Sequence, residues 1–221
     1  MLRLLVHRSL LTLLLVGGVA SAAPPLVSPR AVDLIIRYEV ISPSVYTRRY
    51  SRPVWPGGAS GVTVGIGYDL GFNSVKQILH DWSDHPQRGY LAAMSGFTRA
   101  EAQALAARRQ FIVTPYPLAY KVFLDPTLIR YYNITRRAFP GMENLDPDAQ
   151  GALVSLVYNR GGNMVGKARS EMRTIRDVCI PARDNRCVAG QFRAMIRIWR
   201  GGSLEKGMTR RRYEEAELAE G

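Results

Sequence analysis

The chain has 221 residues, of which 47% are hydrophobic and 22% charged. This balance is ordinary for a globular domain with a sizeable core, and it excludes a disordered or collagen-like chain. Thirty Lys and Arg against 18 Asp and Glu give a net charge of +12. Such an excess points to an anionic partner, and nucleic acid and cell-wall polymer are the first candidates.

The first 22 residues have the features of a secretory signal peptide. Arg3 and Arg8 precede an apolar run over 10–16, and the small residues at 20–22 form an A-x-A cleavage pattern. The alternative is a membrane anchor, but the run is shorter than the roughly 20 apolar residues that a bilayer core requires. We therefore expect a periplasmic or secreted domain over 23–221, without a stable membrane partner. An exported protein is not expected to bind nucleic acid.

The two cysteines, Cys179 and Cys187, are close enough in sequence to close a small loop. Export to an oxidising compartment favours a disulfide between them, which would add about 2–3 kcal/mol on the chain-entropy estimate; two separate buried thiols are the alternative. The histidines, His7, His80 and His85, show no ligand spacing with the cysteines. The sequence thus predicts neither a metal site nor an organic cofactor.

Past residue 22 the chain shows no internal repeat, which predicts a single domain. Ser28 followed by Pro29 begins an amphipathic helix over 29–40, and Pro43 stops it. The Val-Thr-Val alternation and the Gly/Pro punctuation after it predict short strands and tight turns as far as Gly71.

The rest of the chain is predicted to be helical. A capping box at Thr98-Arg99-Ala100-Glu101 opens a helix that runs to about Ile112. Further helices are predicted over 127–138, 147–158, 168–178, 189–200 and 208–219. The expected class is α+β, mostly helical with a small N-terminal β lobe and a cleft where the lobes meet.

Glu39 is the first candidate for a chemical role. It follows Val32, Ile35 and Ile36 at helical spacing, which places its carboxylate on the apolar stripe near the C-terminal end of the first helix. Burial and the negative end of the helix both disfavour the charged form, so its pKa should rise, as a general acid requires. The alternative is an exposed Glu at a frayed helix end, or one paired with an arginine.

A Gly-rich segment over 57–71 is the second candidate. Its glycines do not match the dinucleotide fingerprint and no βαβ unit surrounds them, so a phosphate-binding loop is not expected. The segment reads as a β turn region where backbone can approach a bulky ligand, with a hydroxyl at Thr63 and a carboxylate at Asp69. The alternative is a plain hairpin in which Thr63 is a strand residue and Asp69 caps a turn.

Together, Glu39 and the later Thr63-Val64-Gly65-Ile66-Gly67 resemble the catalytic region of the bacteriophage-type lysozymes. In those enzymes a helix ends in the catalytic Glu and a β lobe supplies a Thr-x-Gly-x-Gly segment. Their usual catalytic Asp precedes the Thr, whereas 40–62 contains no Asp here. The order Glu39, Thr63, Asp69 is similar to the pesticin-like branch of muramidases, so the resemblance implies the acid role for Asp69.

The resemblance extends into the helical part of the chain. Residues 152–161 are similar to a Leu-Val-Ser-aromatic-Asn-x-Gly helix of phage-type endolysins, and 209–217 resemble their Arg-rich closing helix. Asn159 and Arg210 are the substrate-cleft candidates in these two segments. Aromatic residues of the β region could stack on the apolar face of a sugar, and the candidates are Tyr46, Trp55 and Tyr68. Packing of a small core explains these aromatics equally well.

The resemblance implies hydrolysis of the β-1,4 bond between N-acetylmuramic acid and N-acetylglucosamine in peptidoglycan. Glu39 would donate a proton to the leaving oxygen, while Asp69 and Thr63 would hold the attacking water. This division of roles implies inversion, with the two carboxyl groups roughly 6.5–9.5 Å apart. Two alternatives stay open. One is a lytic transglycosylase that needs a single Glu, and the other is a non-catalytic wall-binding protein on the same fold.

Overall fold

The structure is a computed structural model that describes residues 26–221. The predicted signal peptide lies outside the described residues. Within 26–221, no helix combines the length and the apolar character needed to cross a bilayer.

Eleven α-helices and one short hairpin make up most of the described chain. In chain order these elements are α1 (Pro29–Val40), α2 (Pro43–Arg49), β1 (Thr63–Val64), β2 (Tyr68–Asp69), α3 (Val75–Asp81), α4 (Arg88–Ala92), α5 (Arg99–Arg108), α6 (Tyr116–Val122), α7 (Ile129–Ala138), α8 (Pro147–Arg160), α9 (Ser170–Thr174), α10 (Asn185–Ala194) and α11 (Glu205–Glu220). A π-helical segment, Phe123–Leu128, joins α6 to α7, and another, Ile175–Cys179, extends α9. The mostly helical α+β class is therefore confirmed.

Helix α1 forms as its sequence predicts. The Ser28 hydroxyl accepts a hydrogen bond from the Ala31 N–H at 3.2 Å, and Pro29 occupies the first turn, where no N–H is needed. Its apolar face is buried, whereas Asp33 and Arg37 on the other face are exposed. The helix ends at Val40, followed by Ile41 with a positive φ of 69°.

The prediction that strands and turns fill the chain from Pro43 to Gly71 is wrong in its first part. Helix α1 has already ended at Val40, and Pro43 begins a second helix, α2. The Ser42 hydroxyl caps this helix by accepting a hydrogen bond from the Val45 N–H at 3.3 Å. The sheet is then a two-stranded antiparallel hairpin, extended by single bridges from Val54 to Thr63 and from Gly61 to Thr98.

The predicted capping box at Thr98 also needs correction. Helix α5 begins after Thr98, but the Thr98 side chain makes no capping bond to it and Glu101 is exposed. Thr98 bridges to Gly61 instead, and the following Arg99 N–H donates to the Ser60 carbonyl at 3.0 Å. Pairing with the β region thus replaces the local cap. The other predicted helices are present, with shifted ends.

Two hydrophobic clusters divide the molecule. The larger surrounds α8, which is buried on every side from Gly151 to Tyr158 and packs against α1, α7 and α11. The smaller holds the base of the hairpin against α3, α4 and α5. Ile66, at the hairpin tip, belongs to the large cluster, while Val64 and Tyr68 beside it belong to the small one. The hairpin therefore joins the two clusters.

The predicted disulfide between Cys179 and Cys187 is confirmed. It links the end of the π-helical segment to the first turn of α10, where Asp184 caps the Cys187 N–H at 2.9 Å. Cys179 is fully buried in the large cluster. The bond therefore fastens the surface loop between these helices to the core.

Replacement of Cys179 and Cys187 by alanine should lower the free energy of unfolding by about 2–3 kcal/mol, because the unfolded chain gains the freedom of the opened loop. Urea denaturation of both proteins measures the difference. Wild type kept reduced should lose a similar amount, and the alanine variant should be insensitive to reductant. An unchanged midpoint in both tests would contradict the prediction.

Candidate active site

Glu39 lies at the next-to-last position of α1 and faces the centre of the molecule. Its Oε1 atom accepts a hydrogen bond from Arg211 Nη1 of α11 at 3.3 Å. Only 22% of the Glu39 side chain and 5% of the Arg211 side chain remain exposed. The carboxyl group is therefore largely withdrawn from water and held by one guanidinium, yet it keeps a route to solvent.

The turn of the hairpin packs directly against this carboxyl group. Gly67 has a φ of +70°, and a Cβ atom there would lie 3.1 Å from Glu39 Oε2 and 3.0 Å from the Tyr158 hydroxyl oxygen. The Tyr158 hydroxyl donates to the Ile66 carbonyl at 2.7 Å, which fixes the turn to α8. Both the backbone conformation and the close approach require glycine at this position.

Thr63 and Asp69 are direct cross-strand partners in the hairpin. The Leu70 N–H donates to the Val62 carbonyl at 2.8 Å, so Val62 and Leu70 form a hydrogen-bonded pair. Because the two kinds of pair alternate, the neighbouring Thr63–Asp69 pair is non-hydrogen-bonded, the kind in which side chains lie closest. Val62 and Leu70 point into the small cluster, whereas Thr63 and Asp69 are half-buried on the opposite face. The hydroxyl and the carboxylate thus stand side by side outside that core.

The Asp69 carboxylate is fixed by backbone amides. The Gly61 N–H donates to Oδ2 at 3.0 Å and the Gly71 N–H donates to Oδ1 at 2.8 Å. Asp69 also caps the 3₁₀ turn Leu70–Phe72. The alternative that Asp69 caps a turn is therefore correct, and this capping holds the carboxylate in one orientation.

Burial sets the ionisation of both carboxyl groups. It raises the pKa of Glu39, and the neighbouring charge of Arg211 opposes the rise without cancelling it. Burial also raises the pKa of Asp69, against the opposing hydrogen bonds from backbone N–H groups. Burial and then the charge of Glu39, together with that of Asp69, raise the pKa of Tyr131.

A buried ionic cluster supports Arg211 from behind. Its Nε donates to Glu215 Oε1 at 3.1 Å and its Nη2 to the Ser155 carbonyl at 3.2 Å. Glu215 also accepts from the Ser155 hydroxyl at 2.6 Å and from Arg212 at 2.9 Å. Burial lowers the pKa of Arg212 to about 10, which leaves the side chain charged at neutral pH. Two arginines thus share one fully buried glutamate.

The arginine of α11 that reaches Glu39 is not the predicted cleft residue Arg210 but the residue that follows it. Arg210 is exposed and pairs with Glu214 one turn later on the same helix at 2.7 Å, while the next residue, Arg211, reaches Glu39. Asn159 is exposed and accepts a hydrogen bond from Arg212 at 3.3 Å. It neighbours the site through Tyr158, its predecessor on α8, and none of its hydrogen bonds in the described chain is to Glu39.

Two of the three aromatic candidates for sugar contact are core residues. Tyr46 is fully buried and its hydroxyl donates to the Thr114 carbonyl at 2.9 Å. Tyr68 is buried, donates to Asp81 at 2.7 Å and packs edge-on against Trp82. Neither ring presents a face to a ligand. Trp55 is half-buried, with its indole N–H bonded to the Ser60 carbonyl at 3.1 Å, and retains an accessible part.

Sequence reasoning missed Arg211, Tyr158 and Tyr131. Glu215 lies four residues after Arg211 and three after Arg212, so both arginines reach it along the helix. The same side of α11 carries the buried Ala216 and Ala219. Charged residues on the same helix side as these alanines were a sequence signal that could have identified the buried ionic cluster. Tyr131 and Tyr158 stack with ring centroids 4.1 Å apart, a contact between α7 and α8 that no local pattern indicates.

The grooves beside α1 do not coincide with the predicted cleft between the lobes. Two open grooves border α1, one of about 480 Å³ against α11 and one of about 370 Å³ against α2 and α6, but neither is lined by Glu39, Thr63 or Asp69. Glu39 is the centre of the candidate site because its withdrawn carboxyl group and the hairpin meet there. Within 26–221, no three His, Cys, Asp or Glu side chains are arranged to hold a metal ion.

No protein-family model matches the chain, and no curated protein matches it.

Substitution of Arg211 by alanine should lower the free energy of unfolding by about 3–5 kcal/mol, because it leaves buried Glu215 with one arginine fewer and Glu39 without its partner. Arg210→Ala on the same helix is the matched control and should change stability little, since that ion pair is exposed. Chemical denaturation of both variants checks the difference. Equal losses would mean that Arg211 is not the buried anchor of α11.

The raised pKa of Glu39 predicts a pH-dependent stability difference between wild type and Glu39→Gln. The ordinary pKa is 4.5 and the folded value is higher, so the folded protein binds the proton more tightly. Wild type should therefore lose stability relative to the variant as pH rises from about 4.5 through the folded pKa, while below pH 4 the difference should be constant. Melting temperatures across pH 3–8 measure this trend; a wild type that gains stability relative to Glu39→Gln as pH rises would contradict it.

Proposed function

We propose that this chain is a lysozyme-like peptidoglycan hydrolase, a muramidase similar to the pesticin-like branch of the bacteriophage-type lysozymes. The observation that carries the proposal is the meeting of Glu39 with the Gly-rich hairpin. A glutamate with a raised pKa lies against Gly67, and the same hairpin presents Thr63 and Asp69 side by side. An acid with a raised pKa and a second, fixed carboxylate are the two groups that glycoside hydrolysis needs.

In the proposed reaction Glu39 protonates the oxygen of the leaving sugar. Burial raises the pKa of Glu39 and so favours the protonated form that a general acid needs. Once the proton has left, the Arg211 guanidinium stabilises the new carboxylate without any movement, because it already lies 3.3 Å away. Arg211 therefore stabilises Glu39 after Glu39 has given up its proton.

Asp69 and Thr63 serve the attacking water. The carboxylate oxygens of Asp69 are each held by a backbone N–H, so they face the reaction from a fixed place. A carboxylate has about four acceptor sites, which leaves room for a water beside those bonds. The Thr63 hydroxyl, on the same face, supplies a second contact to that water. Attack from the side opposite to Glu39 would invert the configuration of the sugar.

Charge and export agree with this substrate. Without residues 1–22 the chain carries 28 Lys and Arg against 18 Asp and Glu, and a positive protein is drawn to an anionic wall polymer. We propose a periplasmic or secreted enzyme that uses no metal and no organic cofactor, since two carboxyl groups and a water suffice for the reaction.

A lytic transglycosylase is the second candidate, and one observation favours it. Both oxygens of Asp69 take part in capping bonds, as they would if Asp69 had a structural role only. A transglycosylase would cleave the same bond with Glu39 alone and release 1,6-anhydro products, which are lighter than the hydrolysis products by one water.

The test is digestion of purified peptidoglycan by residues 23–221, with mass spectrometry of the soluble products. Glu39→Gln should reduce product release by about 10²–10⁴-fold, the usual contribution of a general acid. Glu101→Gln, an exposed glutamate on α5, is the matched control and should digest normally. Asp69→Asn should also lose activity, with its melting temperature followed because Asn can accept only one of the two amide bonds.

Each outcome selects one function. Reducing muropeptides from wild type and none from Glu39→Gln would support the muramidase. Anhydro products that persist in Asp69→Asn would replace it with the transglycosylase. Binding to peptidoglycan without any released fragment, from wild type and variants alike, would show a non-catalytic wall-binding protein.

A further inference from the structure

Arg130, near the start of α7, contacts three side chains on or beside the small hydrophobic cluster. Its Nη1 donates to Asn73 Oδ1 at 2.9 Å, its Nη2 pairs with Asp81 Oδ2, and its guanidinium lies over the Tyr68 ring with a centroid distance of 5.7 Å. These groups come from β2, the segment after it, and α3. Arg130 therefore spans the junction between the two hydrophobic clusters.

The partner of Arg130 is rigidly held. The Asp81 side chain has no exposed surface, and it accepts hydrogen bonds from the Tyr68 hydroxyl at 2.7 Å and from Gln77 Nε2 at 2.6 Å. Burial opposes ionisation, but these bonds and that of Arg130 keep the pKa of Asp81 below its ordinary value. A buried, ionised carboxylate of this kind gives the guanidinium a fixed anchor.

Asn73 connects Arg130 to the strand that carries Asp69. Asp69 belongs to a non-hydrogen-bonded pair, so its backbone carbonyl points away from β1. Asn73 Nδ2 donates to that carbonyl at 2.6 Å, while its Oδ1 accepts from Arg130. On the edge of β2 that faces away from β1, the Asn73 side-chain amide thus holds the Asp69 backbone. Arg130 sets the orientation of that amide.

Helix α7 also reaches the other half of the site. Tyr131, the next residue, stacks on Tyr158, which holds the turn beside Glu39. Consecutive residues of α7 therefore contact the structures that position Glu39 and Asp69.

We propose that Arg130 is a positioning residue, which acts through Asn73 to hold Asp69 at a fixed place relative to Glu39. This inference rests on the proposed function, because it assigns Arg130 a part in the same reaction. Lysine should not replace it, since a single ammonium lacks the fork that bonds Asn73 and Asp81 from separate nitrogens.

The first measurement is kinetic. In Arg130→Gln and in Asn73→Ala, kcat on peptidoglycan should fall by about 10- to 100-fold, the effect of a small misplacement of a reacting group, while KM stays within about twofold. Arg130→Lys should not restore kcat. Arg136→Gln, an exposed arginine on the same helix, should resemble wild type. All assays run well below the melting temperature of each variant, so that loss of folded protein does not enter.

The two substitutions should not add, because they break one chain of contacts. The double variant should be no slower than the slower single variant. Full additivity, or a kcat of Arg130→Gln within twofold of wild type, would overturn the proposal. If Arg130→Gln does not fold, Asn73→Ala decides, since it leaves the Arg130–Asp81 pair intact.

A second measurement does not depend on activity. Hydrogen exchange of the Gly61 and Gly71 amides, which donate to Asp69, is followed by NMR. Exchange should be faster in Arg130→Gln and in Asn73→Ala, and unchanged in Arg136→Gln. Unchanged exchange in the first two would overturn the proposal. If wild type releases no fragments, the proposed function fails, and the exchange data alone then decide whether Arg130 holds Asp69.

Discussion

The Arg211 guanidinium is shared between Glu39 of α1 and Glu215 of its own helix, and most of the molecule is arranged around this sharing. Removing ionised groups from water is costly, and the loss is offset only where each charge has close partners. Here Ser155 and Arg212 complete the set around Glu215. Helices α1, α8 and α11 must therefore meet in one arrangement, since any other leaves a buried charge unpaired.

The same constraint places the Gly-rich hairpin. The space in front of Glu39 is bounded by Tyr158 of α8, and only a turn without a side chain can enter it. Gly67 provides that turn, and Ile66 beside it anchors the tip in the large cluster while the strands stay in the small one. The positions of Thr63 and Asp69 follow from this insertion, because the register of the hairpin is set at its tip.

Sequence patterns predicted what is determined locally. Helix α1 follows from Ser28, Pro29 and its apolar spacing, and the burial of Glu39 follows from its place on that stripe. Helix α2 was missed because it is only seven residues long and contains aromatic and β-branched residues, which are typical of strands. The N-cap at Ser42 was the signal that favoured a helix. The capping box at Thr98 failed for the opposite reason, since pairing with Gly61 outweighed a local hydrogen bond.

Contacts between distant segments escaped prediction. The resemblance of 209–217 to an Arg-rich closing helix suggested Arg210 as a cleft residue, but whether Arg210 or Arg211 faces Glu39 depends on the rotation of α11 against α1, which packing decides. Tyr46 and Tyr68 illustrate the same limit. A tyrosine in a β region serves equally well as a sugar platform or as a core residue with a bonded hydroxyl, and only the surrounding helices decide which it becomes.

Under the proposed function, Asp69 combines a structural and a chemical role in one side chain. Its bonds to the Gly61 and Gly71 amides restrain the loop on both sides of the hairpin, and the same bonds limit the rise in its pKa that burial causes. Among the described residues, Glu39 is held by one guanidinium at 3.3 Å and by no backbone amide, and burial raises its pKa. Two carboxyl groups with different hydrogen-bond donors are suited to different protonation states, and that difference is the basis of acid and base roles.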